Sequence, residues 1–229
     1  MNFEYKITRR PRRRTLSIVI SRDNRIVVRA NQSLADGEIA KFVESKKAWI
    51  GKTLKINDVY LRSYIPKKFV SGEKFLYLGK EFCLRLEKGK RNKAELNEGT
   101  VLIMLPDFVK TPKEFIIGKL MQWYKSQSHE ILNKRVILYS QILNVESGNV
   151  KIRTLKRTWA NCSHHGVLTF SWRLIMAPLR IIDYVVVHEL AHRIHHNHSG
   201  RFWKQVEKII PQYKVCKKWL RENENSFRW

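Results

Sequence analysis

The sequence predicts an α+β fold: a β-rich amino-terminal region with one helix over residues 1–110, then a mainly helical domain over residues 111–229 with a short β-sheet beside its most apolar helix. Three observations carry this. Short β-branched runs separated by turn residues recur up to about residue 105. A long helical periodicity opens at Pro112, and a run that is apolar nearly all round, Ile181 to Val187, reads as a buried helix.

Taken in order, Thr15 to Ile20 and Arg25 to Ala30 flank the turn-forming Ser21-Arg22-Asp23-Asn24, which predicts a hairpin. Ser33, with Asp36 three residues on, marks a helix start, and an amphipathic helix is expected from there to about Lys55 with Trp49 on its buried face. Lys74 to Leu86 and Thr100 to Leu105 are strand-like, and the lysine-rich Lys88 to Glu98 between them reads as a loop. From Pro112, Phe115, Ile116, Leu120, Trp123 and Tyr124 form one helical stripe, continued by Ile131, Leu132, Val136 and Leu143. Val150 to Thr158 and Val167 to Phe170 are short strands around the turn Asn161 to Gly166. Pro178 suits the first turn of the apolar helix. Ser199 is expected to cap a helix that Pro211 ends, and a last helix spans about Tyr213 to Glu224.

The apolar helix carries His188-Glu189-Leu190-Ala191-His192, followed six residues later by His198. Residues four apart share a helix face, so His188 and His192 can reach one ion while Glu189 stands beside them. Burying two imidazoles and a carboxylate costs several kcal/mol unless they are paired or bound to metal. The pattern therefore points to a zinc ion, with Glu189 as general base for a metal-activated water. Three residues compete for the third ligand. His198 ranks first, with Asn197 able to turn the chain in the left-handed conformation. Glu207, from the next helix, ranks second. His195 ranks last, since it lies two turns from His188 and reads with His196 as a solvated helix end.

Composition sets the surroundings of this motif. The chain of 229 residues is 43% hydrophobic, enough for a substantial core. Its three cysteines, Cys83, Cys162 and Cys216, are far apart, which argues against a disulfide scaffold and for a reducing compartment. With no apolar signal stretch and no run of membrane-spanning length, a cytoplasmic protein is expected. The net charge of +25, densest at Arg9 to Arg14, suits polyanionic partners, nucleic acid and nucleotides among them. A strand edge next to the metal helix would suit an extended peptide instead. Cys162, His164 and His165 lie in the turn before that helix and read as a buried thiol and ordinary histidines. Tyr184 and Tyr213 are candidate oxyanion donors.

These residues resemble the YgjP-like metal-dependent hydrolases, a family of zinc metallopeptidases related to the SprT-like proteases. The likeness rests on the basic opening Arg9 to Thr15, Trp49-Ile50, Tyr77-Leu78-Gly79-Lys80, Trp159 to Cys162, and Pro178 through His192. It continues through Asn197-His198-Ser199, Phe202-Trp203 and Pro211-Gln212-Tyr213. The resemblance implies a zincin-like metallohydrolase domain with His188, His192 and His198 as zinc ligands, Glu189 as catalytic base and a peptide substrate. A nucleoside triphosphate pyrophosphatase is the alternative that the family allows, although no glycine-rich phosphate loop is present. A module that acts on nucleic-acid-bound protein, as SprT-like relatives do, is the third. The family usually shows Trp-Gly-Ser-Cys where Trp159-Ala160-Asn161-Cys162 stands, and asparagine where Ser171 stands, departures that leave the zinc set intact.

Overall fold

A computed structural model describes residues 3–21, 23–63, 66–89, 94–155, 158–227 and 229. The chain divides into two compact units, Met1–Ile65 and Pro66–Trp229. Each has its own core.

In the first unit, β1 (Lys6–Arg10), β2 (Ser17–Ile20) and β3 (Ile26–Asn31) form a sheet in the order β1-β3-β2. The predicted hairpin is the antiparallel β2–β3 pair, with Ser17 opposite Arg29. The basic opening segment, read only as a charge cluster, adds β1 parallel to β3. Strict alternation on β3 buries Ile26, Val28 and Ala30 against Ile39, Val43 and Ile50 of the helices. The single helix expected over residues 33–55 is two: α1 (Asp36–Ser45) and α2 (Lys47–Ser63), interrupted at Lys46. Ala35 rather than Ser33 takes the N-cap position. The interruption shifts the helical phase, so Ile50 is fully buried and Trp49 is 48% exposed, contrary to expectation.

In the second unit, β4 (Lys74–Tyr77), β5 (Lys80–Lys88), β6 (Ala94–Asn97) and β7 (Thr100–Leu105) form a sheet in the order β4-β5-β7-β6. β6 lies in the stretch expected as a loop, of which residues 90–93 fall outside the described residues. This sheet packs on α3 (Pro112–Leu143) through Phe82, Trp123 and Tyr124, so it belongs to the core of the second unit. Most of the predicted stripe is buried, namely Ile116, Leu120, Trp123, Tyr124, Leu132, Val136 and Leu143, while Phe115 and Ile131 are partly buried.

A third sheet, β8-β10-β9, joins β8 (Val150–Arg153), β9 (Ala160–Cys162) and β10 (Leu168–Ser171). β9 falls in the segment read as a turn. A 3-10 turn, Trp172–Met176, leads into α4 (Leu179–Ala191), followed by α5 (Gly200–Ile209) and α6 (Tyr213–Asn223). Two hydrogen bonds tie the β4–β5 turn to the approach of α4, Leu78 N to Ile175 O at 2.8 Å and Gly79 N to Met176 O at 3.0 Å. Gly79 has φ of +78°, and a Cβ there would lie 2.7 Å from Pro178 Cγ, so only glycine fits this contact. No helix among the described residues is long and apolar enough to cross a membrane.

Candidate metal centre

α4 is buried along nearly its whole length, which fixes the orientation of its last two turns. Arg135 of α3 anchors it by gripping Asp183 through two oxygens, at 2.6 and 2.8 Å. One turn beyond Asp183, His188 and Glu189 emerge on the side where α5 and β9 pack.

After α4 the chain bends back through residues 192–198. Asn197 does not take the left-handed conformation expected of it. Its Oδ1 instead accepts a bond from Ser199 N at 3.3 Å, while the Ser199 hydroxyl makes no cap bond. The result returns His198 to the helix, with His198 Nε2 and His188 Nε2 3.0 Å apart. Ligand nitrogens of His188, His192 and His198 all lie within 4.8 Å of one another. Among the described residues this is the cluster of potential metal ligands; His195 and Glu207 are outside it. His195 contributes through its backbone, since its carbonyl lies 3.1 Å from His192 Nδ1. That contact leaves Nε2 of His192 to face the other two rings.

α5 supplies the rest of the cradle. The ring of fully buried Phe202 is 4.9, 4.6 and 4.8 Å from the imidazoles of His188, His192 and His198. Trp203 stacks on exposed His198, centroids 5.6 Å apart, and on Tyr213 at 5.1 Å, with Lys217 Nζ 4.6 Å above its ring. The roles of Phe202 and Trp203 were not read from the sequence. Their signal was the adjacent aromatic pair four and five residues after His198.

Burial sets the electrostatics of the site. Burial, with help from the neighbouring histidines and Lys217, pushes the His188 pKa down to about 3, so this ring is held neutral. Burial also lowers that of His192. The Nδ1 of His188 is buried with no hydrogen-bond partner. Glu189 is buried, and its carboxyl is pushed up to about 7 by desolvation, opposed by the backbone N–H of Cys162. That N–H lies on the outer edge of β9. Asn161 pairs with Thr169, so Ala160 and Cys162 direct their backbone groups away from β10.

Arg193 braces this end of the sheet. Its guanidinium covers Gly166, where a Cβ would fall 1.1 Å from Nη1, and pairs with Glu146 at 3.1 Å. Cys162 is a half-buried free thiol, its pKa raised by burial and by nearby Glu189. His164 and His165 are exposed and outside the cluster. Tyr184 is buried with its ring 6.0 Å from that of His188, and Tyr213 is held by Trp203.

The donor set fits a metal ion. Two nitrogens bound to one tetrahedral zinc at about 2.0–2.1 Å stand roughly 3.3 Å apart, close to the spacing of the His188 and His198 nitrogens. Three imidazole nitrogens leave a further position open for water or substrate.

The match to a family model agrees with this chemistry. A family model described as YgjP-like, metallopeptidase domain, matches residues 14–223. No curated protein matches the chain. Among solved structures, the crystal structure of the metallopeptidase zymogen of Pyrococcus abyssi abylysin is similar at 26% identity and a TM-score of 0.38, over 41% of this chain and 95% of that one.

Proposed function

The chain belongs to the YgjP-like metallopeptidase family, and from that premise we propose that it is a zinc-dependent peptidase whose metal is held by His188, His192 and His198 and whose general base is Glu189. The convergence of the three imidazoles carries this reading. When bound, the metal supplies Lewis acidity, acidifying water and polarising an amide carbonyl.

The protein's own residues do the rest. Glu189 takes a proton from the attacking water at its carboxylate and later delivers it to the leaving amine. One carboxyl beside the metal-binding rings can serve as base and then as acid. The outer edge of β9 pairs with an extended substrate backbone through the groups of Ala160 and the carbonyl of Cys162, placing the scissile amide beside Glu189. This edge favours a peptide over a nucleoside triphosphate, which has no backbone to pair with it. Lys217, above Trp203 and close enough to act on His188, stands on the α6 side of the site.

The test compares the native chain, the chelated chain and Glu189→Gln on a casein-derived peptide pool and a nucleoside triphosphate panel. Peptide cleavage lost on chelation, restored by zinc and absent in a metal-retaining Glu189→Gln is expected. Triphosphate hydrolysis without peptide cleavage, or full activity in Glu189→Gln, overturns the proposal.

A further inference from the structure

In the first unit, the sheet β1-β3-β2 has two unlike faces. One is covered by α1 and α2 through Ile26, Val28 and Ala30. The alternate residues Val27, Arg29 and Asn31 point to the opposite face, because successive side chains on a strand alternate. Register places Thr8 of β1 and Ser17 of β2 on either side of Arg29, and Arg10 beside Asn31. Arg13, on the β1–β2 connection, is fixed over the same face by Nε to Thr15 O at 2.7 Å and Nη2 to Ser17 Oγ at 2.9 Å. Thr8, Arg10, Arg13, Val27 and Arg29 line a cleft of about 220 Å³.

The charges in this cleft are unbalanced. Arg9, on the covered face, is paired with Asp36, and Arg25 in the turn with Asp23. Among the described residues no carboxylate lies within ion-pair distance of Arg10, Arg13 or Arg29. Three like charges converging on one concavity repel one another, and an anion seated between them relieves that repulsion. Guanidinium groups beside hydroxyls are donors matched to phosphate oxygens.

Extent and composition define the anion further. Arg29 and Arg10 are one strand and two residues apart, so their Cα atoms are separated by about 8 Å from strand spacing and rise. With long side chains, that span exceeds one phosphate group. The five residues lining the cleft include no aromatic side chain, so nothing there stacks on a base. The charge of +25 supplies the long-range attraction a polyanion needs.

We propose that this face of β1-β3-β2 binds the phosphodiester backbone of a nucleic-acid strand, with Arg10, Arg13 and Arg29 on phosphate oxygens and the hydroxyls of Thr8 and Ser17 as neutral donors. Binding through phosphates alone is independent of base sequence and steeply salt-dependent. Without stacking residues, duplex is bound at least as well as single strand. The site is separate in its residues from the histidine cluster and does not depend on the peptidase reading.

The test is fluorescence anisotropy of labelled random-sequence duplex and single strands over a salt series, using the full chain with Glu189→Gln to silence hydrolysis. Adding Arg10→Gln, Arg13→Gln and Arg29→Gln together should reduce the slope of log affinity against log salt by about 2.7 for duplex, at roughly 0.9 per phosphate contact. Arg29→Lys, which keeps the charge, should retain most of the slope, and Arg25→Gln should leave it unchanged. Circular dichroism checks that each variant is folded, and the triple variant with Glu189 intact should cleave peptide at the native rate. An unchanged slope in the folded triple variant overturns the proposal. So does an equal loss in Arg25→Gln, or occupation of the cleft by inorganic phosphate or a nucleoside triphosphate with no binding of strands.

Discussion

Arg135 of α3 holds Asp183 of α4 in a two-point ion pair, Nε to Oδ1 at 2.6 Å and Nη2 to Oδ2 at 2.8 Å, five residues before His188. Both side chains are largely buried, so the pair fixes the rotation of α4 and with it the aim of the metal-binding rings.

Removing one partner should therefore cost more than removing both. Arg135→Leu leaves Asp183 as an uncompensated buried charge and is expected to destabilise by about 3 kcal/mol, the lower end of the range for broken buried pairs because Arg135 retains some solvent. Arg135→Leu with Asp183→Leu should recover much of that loss. Urea denaturation of the native chain and the two variants checks it, and a double variant as unstable as the single would contradict it.

The β4–β5 turn is a second stability determinant. Gly79→Ala places a Cβ against Pro178 and strains a residue with φ of +78°. A loss of about 1–3 kcal/mol is expected, seen as a lower Tm, whereas Gly72→Ala, at φ of +85° with open space around it, should show only the smaller conformational cost.

The metal-free chain should carry a signature of Glu189 in its pH dependence. The carboxyl is raised from 4.5 to about 7, so the protonated form is favoured by folding. The stability this gives is fully present below 4.5 and is lost as pH rises through 7. Glu189→Gln removes the loss, so the variant should gain on the native chain by an amount on the order of 3 kcal/mol or less between pH 4.5 and 7. His188 acts in the opposite sense in both proteins. Its lowered pKa makes stability fall as pH drops from 6.5 towards 3, and the comparison cancels it. Denaturation curves of chelated protein across this range provide the measurement, and parallel curves would contradict it.

Trp203 positions His198, the exposed member of the trio, by stacking between it and Tyr213. Trp203→Ala should weaken metal binding by about 10–100-fold, as for other residues that orient ligands, while Trp203→Phe keeps most of it. Competition with a chromogenic chelator reads the affinity directly.

The motif on α4 was legible because it combines two signals in one segment: apolar residues all round a helix, and ligand types one turn apart. The spacing ranked His198 ahead of Glu207 and His195, and the cluster contains it; what was not legible is how residues 192–198 bend, since the bend uses no left-handed Asn197. Strands β1, β6 and β9 escaped for related reasons. Lys6 to Arg10 and Ala94 to Asn97 have polar compositions, and Ala160 to Cys162 is three residues long. β1 becomes a strand only through the more distant β3, Lys6 opposite Val27, whereas β6 and β9 are short strands that pair with the strand following each, Asn97 opposite Thr100 and Cys162 opposite Leu168. Trp49 was misplaced because the interruption at Lys46 resets the phase between α1 and α2.

Elemental analysis of the purified chain, set beside His188→Ala, His192→Ala, His198→Ala and Glu207→Gln, tests the metal centre most directly. One zinc per native chain is expected, retained in Glu207→Gln and lost in each histidine variant. A native chain without stoichiometric metal, or a His198→Ala variant that keeps its zinc, would contradict it.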